Sequence, residues 1–138
     1  KMVLGHNIVS LQYKDNRVNY PIDFGLYHRK PNVKELEKAY KKIDRQLDMF
    51  TPKQYLIEKL KLLLDFKKRL LRFKTKIELA IELIHEAESL GIKAKTYVFD
   101  SWFLCKQMVQ VIRSYSKDWI SVLKLNRVLV IANRHFVR

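Results

Sequence analysis

Asp100 ends the apolar run Tyr97–Phe99 and is followed at once by Ser101, Trp102 and Phe103. A strand core is built from Val, Tyr and Phe, and it excludes an ionised carboxylate unless something pairs with it or binds there. An acid at a strand tip has two uses. It caps the helix that follows, a position that Asp favours, or it holds a ligand at the carboxyl end of a strand, where ligands gather in parallel α/β units. Other groups carry weaker signals. Asp23 falls on the side of its strand opposite Tyr20, Ile22 and Phe24, next to Pro21, and an edge or turn role is expected for it. His6, His28, His85 and His135 are scattered, without the close pairs of a zinc site. Cys105, the single cysteine, has no basic or His partner in a nucleophile motif and reads as packing.

Aromatic and cationic side chains surround the same stretch. Trp102 and Phe103 could stack on an extruded base, but burial beside the strand is the expected outcome because aromatics supply so much apolar area. Lys124 and Arg127, in "KLNR", should emerge at the same sheet edge as Asp100, either as phosphate contacts or as a solvated strand end. Lys67, Lys68, Arg69, Arg72, Lys74 and Lys76 form a basic run leading into the helix before the Asp100 strand. A DNA backbone is the favoured partner for it over a merely solvated helix face.

Composition agrees with a polyanionic partner. The chain has 138 residues, long enough to bury a core, and 28 Lys and Arg against 14 acids give a formal charge of +14. Hydrophobic residues at 48% exclude wholesale disorder. One cysteine excludes an internal disulfide and fits a reducing, cytoplasmic setting. No stretch approaches the roughly 18 apolar residues of a membrane span, and "KMVLGHN" lacks a secretory core. A membrane partner is not expected. A chain that starts at Lys1 is expected to belong to a longer one.

The elements that must position these groups follow from periodicity. Val9, Leu11 and Tyr13 alternate with polar residues, as do Val18, Tyr20, Ile22 and Phe24, and "KDN" lies between them: an antiparallel hairpin over residues 1–30. Asn32 with Glu35, and Thr51 with Gln54, have capping-box spacing, and Pro52 suits a first helical position. The stripe Leu36, Tyr40, Ile43, Leu47, Phe50 and the sevenfold pattern Leu56, Leu63, Leu70 predict two helices packed as a hairpin insertion over 31–73. Residues 34–74 carry 13 basic and 6 acidic side chains, half of the net charge. From Thr75 the spacing predicts a helix ending at Gly91, a strand Ala94–Phe99, a helix near Leu104–Tyr115, a strand Trp119–Lys124 and a short apolar run Val128–Ile131. Helix, strand, helix, strand at this spacing, over 74–138, implies parallel pairing through a crossover. The expected architecture is a single α/β domain: one mixed sheet, an antiparallel hairpin followed by αβαβ, with a helical insertion.

The blocks "VLGHNIVSLQY", "YPIDFGLYHR", "KTKIELAIELI", "FDSWF" and "DWISVLKLNR", in that order, resemble the catalytic domain of DDE-type transposases of bacterial and archaeal insertion sequences. The resemblance covers residues 3–30 and 74–127. It implies a ribonuclease-H-like fold in which two aspartates and a third acid hold two divalent ions, Mg²⁺ or Mn²⁺, for DNA strand cleavage and transfer. Asp100 matches the second aspartate, as catalytic and metal-binding residue. Lys74, Lys76, Trp102, Lys124 and Arg127 are the expected DNA contacts, with transposon ends and target as partner DNA, and a homodimer is compatible with the parent enzyme.

The same resemblance puts the first aspartate on a strand upstream of "VLGHN" and the third acid downstream of "NRHFVR", with no matching acid after Asp118. A single carboxylate does not hold two ions, so this segment alone is expected to be inactive. The alternative is a non-catalytic nucleic-acid-binding module or a decayed transposon remnant.

Overall fold

The computed structural model describes residues 7–124, 129–131 and 134–136. In chain order these form β1 (Asn7–Lys14), β2 (Asn19–Tyr27), α1 (Val33–Asp44), a 3₁₀ turn (Leu47–Met49), α2 (Pro52–Arg72), α3 (Lys76–Ser89), β3 (Thr96–Phe99), α4 (Lys106–Ser114), β4 (Asp118–Ser121), β5 (Leu129–Ile131) and β6 (Arg134–Phe136). The chain is a mixed α/β protein. It divides into two compact units, Lys1–Leu26 with Lys76–Arg138, and Tyr27–Thr75. No helix among the described residues is long and apolar enough to cross a membrane.

In the first unit β1 and β2 pair across a turn closed by Asp15, whose Oδ1 accepts from the backbone N–H of Arg17 and Val18 at 2.7 and 2.8 Å. So short a connection requires antiparallel strands. The β1 alternation comes out as expected, with Val9 buried and Leu11 and Tyr13 half-buried. Of the β2 alternation only Ile22 comes out as expected, half-buried. Tyr20 and Phe24 are exposed at 44% and 59%, while Asp23 and Gly25 turn inward. Gly25 lies against α3 so closely that a Cβ there would stand 3.3 Å from Leu79 Cδ2. The strand presents its glycine side to the helix because only that side permits the approach. Asp23, two residues away, shares the face.

α3 packs on β1 and on α4, and α4 packs on β4. The core is Ile81 and Ile84 of α3, Tyr97 of β3, and Met108 and Ile112 of α4. Gly91 ends α3 at φ +71°, with Ile92 N–H bonded to Ala87 and Gly91 N–H to Glu88, the 6→1 and 5→2 pattern of a Schellman cap. β3 and β4 pair in parallel, Val98 opposite Ile120 and Phe99 opposite Ser121, as the helix–strand spacing predicts. β5 and β6 pair antiparallel, and β6 has no counterpart in the sequence reading.

Among the described residues the strands form three separate pairs, not the expected mixed sheet. The edges of β1 and β3 are not hydrogen-bonded to each other; a groove separates them.

In the second unit, Thr51 and Gln54 complete the capping box of α2, with Pro52 at its first position. Asn32 caps α1 through Lys34 N–H at 3.0 Å. The two helices pack together as expected, but not through the sevenfold stripe: Leu56, Leu63 and Leu70 stay exposed, whereas Tyr55, Lys59, Leu62 and Phe66 of α2 are half-buried. Asp44 ties them, accepting from Tyr55 Oη at 2.6 Å and pairing with Lys59 at 2.7 Å.

Candidate functional site

β3 delivers Asp100 to its carboxyl end, as the run Tyr97–Phe99 predicts. The chain then turns sharply, with Phe103 N–H bonded to Asp100 O at 2.9 Å and Leu104 N–H to Ser101 O at 3.3 Å. Asp100 Oδ1 accepts from Ser101 Oγ at 2.9 Å and from Trp102 N–H at 3.2 Å. The Asp100 carboxylate therefore caps this turn and not the next helix. α4 starts later than expected, at Lys106, and its cap is Cys105, whose Sγ accepts from Met108 N–H at 3.5 Å. Cys105 thus does more than pack.

Those hydrogen bonds, the Ser101 hydroxyl first and the Trp102 amide second, hold the Asp100 carboxyl below its ordinary pKa, and the charge of Lys124 adds to the shift. The bonds from the Ser101 hydroxyl and the Trp102 amide both fall on Oδ1, and the Ser101 backbone N–H adds to them. An exposed, ionised carboxylate suits one ligand position of a hard divalent ion. It does not make a two-ion site. Among the described residues no three His, Cys, Asp or Glu side chains gather where they could hold a metal. The residues present fit one ligand position and no more.

Parallel pairing brings the end of β4 beside that of β3, and Lys124 follows. Its Nζ stands 3.8 Å from the Trp102 ring centroid. Trp102 is 74% exposed, which overturns the expected burial: the turn that Asp100 closes projects the indole outward. Phe103 takes the inward place and packs on the core. Asp100, Trp102 and Lys124 are thereby brought together. Lys76 opens α3 in the same unit, Lys74 belongs to the other unit, and Arg127 lies outside the described residues.

The groove between β1 and β3 runs up to this site. One cavity of about 330 Å³ is walled by Ile8–Leu11 on one side and Val98–Asp100 on the other, with Leu83 and Ile84 below. It is followed by a wider one of about 860 Å³ between Leu11–Lys14 and Thr96–Val98. Val98 and Ile120 are exposed at 74% and 60%.

A carboxyl pair escaped the sequence reading. Asp23 lies beside Glu86 of α3, within reach of a shared proton, and this contact, with the like charge, raises the Glu86 pKa. The signal was Gly25: a glycine two residues after an acid on a strand fixes which side meets a helix. His85 and Tyr115 also pair, Nδ1 to Oη, with rings 5.6 Å apart, so His85 is a partnered side chain of α3.

The family described as the archaeal putative transposase ISC1217 matches residues 32–137. No curated protein and no solved structure matches the chain.

Proposed function

Since the chain belongs to the family of the archaeal putative transposase ISC1217, a family of DDE-type transposases, we propose that it forms the central part of a catalytic domain that cuts and joins DNA with divalent metal. Asp100 is the catalytic and metal-binding carboxylate of this part. Mg²⁺ or Mn²⁺ held there, with a second ion, would supply activation of water or a DNA 3′-hydroxyl and stabilise the leaving oxygen. Trp102 and Lys124, with Arg127, Lys74 and Lys76, contact the DNA of transposon ends and target. Lysines there act as point charges on phosphate. The observation that carries this reading is the Asp100 carboxylate itself: ionised, exposed at a strand end and close to Lys124.

A ribonuclease-H-like sheet is the finer reading of the fold. β1 and β3 each leave an edge without a partner strand among the described residues, and both edges wall the same groove. One further strand laid in it would satisfy both edges and join the pairs into a mixed sheet. The strand carrying a first aspartate, which the resemblance implies upstream, suits that place. Alone, the chain is inactive on this reading, because one carboxylate does not hold two ions. A homodimer of the parent enzyme is compatible with it.

The second reading is a non-catalytic nucleic-acid-binding module. It is favoured by one observation: the hydrogen bonds of the Asp100 carboxylate all come from Ser101 and Trp102 and serve the local turn, as those of a purely structural acid would. Cleavage of DNA by a full-length transposase carrying this chain separates the two. With Mg²⁺ or Mn²⁺ titrated, Asp100→Ala should lower the rate by at least about 100-fold, the scale of a disturbed metal site. An unchanged rate supports the second reading.

A further inference from the structure

The second unit holds a cleft of about 400 Å³ lined by His28, Arg29, Lys30, Arg69, Arg72 and Phe73, with Pro31 and Glu35 completing the wall. Its cations come from both ends of the insertion. The run His28–Lys30 precedes α1, whereas Arg69 and Arg72 occupy the last turn of α2, three residues apart and so on one helix face. Arg69 is braced by Asp65 at 3.0 Å. Glu35 is the one acid in the wall, so the cleft is strongly cationic.

Phe73 is the unusual member. It ends α2 in an extended conformation, with its N–H bonded to Leu70 O at 3.3 Å. Tyr27 meets the ring edge-on, centroids 6.4 Å apart at 68°. Lys30 Nζ lies over the ring at 6.0 Å from its centroid. An aromatic ring beside several cations offers two kinds of contact at once, a stacking platform and a cradle for phosphate.

We propose that this cleft binds unpaired nucleic acid, with one base stacked on Phe73 and the adjoining phosphates held by Arg29, Lys30 and Arg72. Charge alone would accept any polyanion. The aromatic face selects a single strand, because a base in a duplex keeps both faces against its neighbours, whereas an unpaired base offers one to a ring. The site rests on the nucleic-acid reading above but not on Asp100 or on metal. It gives the basic insertion a task of its own: holding a strand whose bases have been opened.

The test is fluorescence anisotropy with a labelled oligothymidylate of about 15 nucleotides, near the upper range of single-strand site sizes, and with a duplex of equal length. Both are measured in EDTA, so that the outcome is independent of any metal site. Phe73→Leu should weaken single-strand binding by roughly five- to a hundred-fold, the scale of one lost stacked base, and leave duplex binding nearly as it was. Phe73→Tyr, which keeps the ring, should bind as wild type. The double variant Arg29→Gln, Arg72→Gln should reduce the salt slope by about 1.4, from about 0.7 per single-strand phosphate contact.

Unchanged single-strand affinity in Phe73→Leu, equal losses on both DNAs, or a loss in Phe73→Tyr equal to that in Phe73→Leu overturns the cleft and leaves the metal reading standing. Failure of wild type to bind either DNA overturns the cleft and the DNA-binding reading together. Failure of the Asp100 cleavage test leaves the cleft untouched.

Discussion

Lys124 Nζ rests 3.8 Å from the centre of the Trp102 ring, on the turn that Asp100 closes. At an exposed site such a cation–π contact is worth about 0.5–1 kcal/mol. That is enough to bias where Lys124 sits but not to hold the fold. The pair keeps a cation and a large aromatic face beside the carboxylate.

Trp102→Ala should therefore change unfolding free energy by less than about 1 kcal/mol while weakening DNA binding. The contrast is Trp119, half-buried and stacked on Phe99 at 6.0 Å between centroids. Trp119→Ala should cost more, about 2 kcal/mol, because part of its ring packs on the core. Denaturant unfolding of both variants, with DNA binding of the first, checks this. A large stability loss in Trp102→Ala would make the indole a structural residue.

The Asp23–Glu86 pair gives a pH-dependent effect. Asp23 raises the Glu86 pKa, so the folded state holds that proton more firmly than the unfolded chain does. A raised folded pKa stabilises below the unfolded value, ordinarily about 4.3, and that contribution is lost as pH rises. At neutral pH the two carboxylates oppose folding. Asp23→Asn should raise Tm at pH 7, with the gain shrinking toward pH 4, in melts recorded across that range. A lower Tm at pH 7 would show that the Asp23 charge has a partner that outweighs Glu86.

Ser116 ends α4 at φ 56°, with Lys117 N–H bonded to Ile112 and its own N–H to Arg113, repeating the cap that Gly91 makes for α3. A non-glycine residue in this left-handed conformation costs roughly 1–2 kcal/mol. Ser116→Gly should stabilise the protein by about 1 kcal/mol after the extra unfolded-state entropy of glycine is subtracted. Equilibrium unfolding measures it directly, and a destabilised variant would show that the serine side chain contributes more than the backbone loses.

Much of this arrangement was legible from residue order. The helices could be read because capping boxes and apolar stripes act within a few residues: Thr51 with Gln54 and Pro52 fixed the start of α2, and Gly91 the end of α3. The parallel β3–β4 pair followed from helix–strand spacing. What was misread depends on contacts between distant segments. The side of β2 that faces inward was decided by Gly25 against Leu79, not by the apolar count of each side. Trp102 turned outward because Asp100 and Ser101 close a tight turn before α4, a local geometry that a run of aromatics does not announce. The groove between β1 and β3 was invisible for the same reason: strand character can be read from alternation, but which edges meet cannot.

Whether Asp100 takes a cation is read residue by residue by paramagnetic broadening with Mn²⁺. The carboxyl is held below its ordinary pKa of about 3.9, so a ligand that needs it ionised should be lost only as pH falls below that range. In the amide spectrum, Mn²⁺ added between pH 5 and pH 8 should broaden Asp100, Ser101 and Trp102 first, and Asp100→Asn should abolish the effect there. Broadening centred elsewhere, or equal broadening in the Asn variant, would contradict a cation at Asp100.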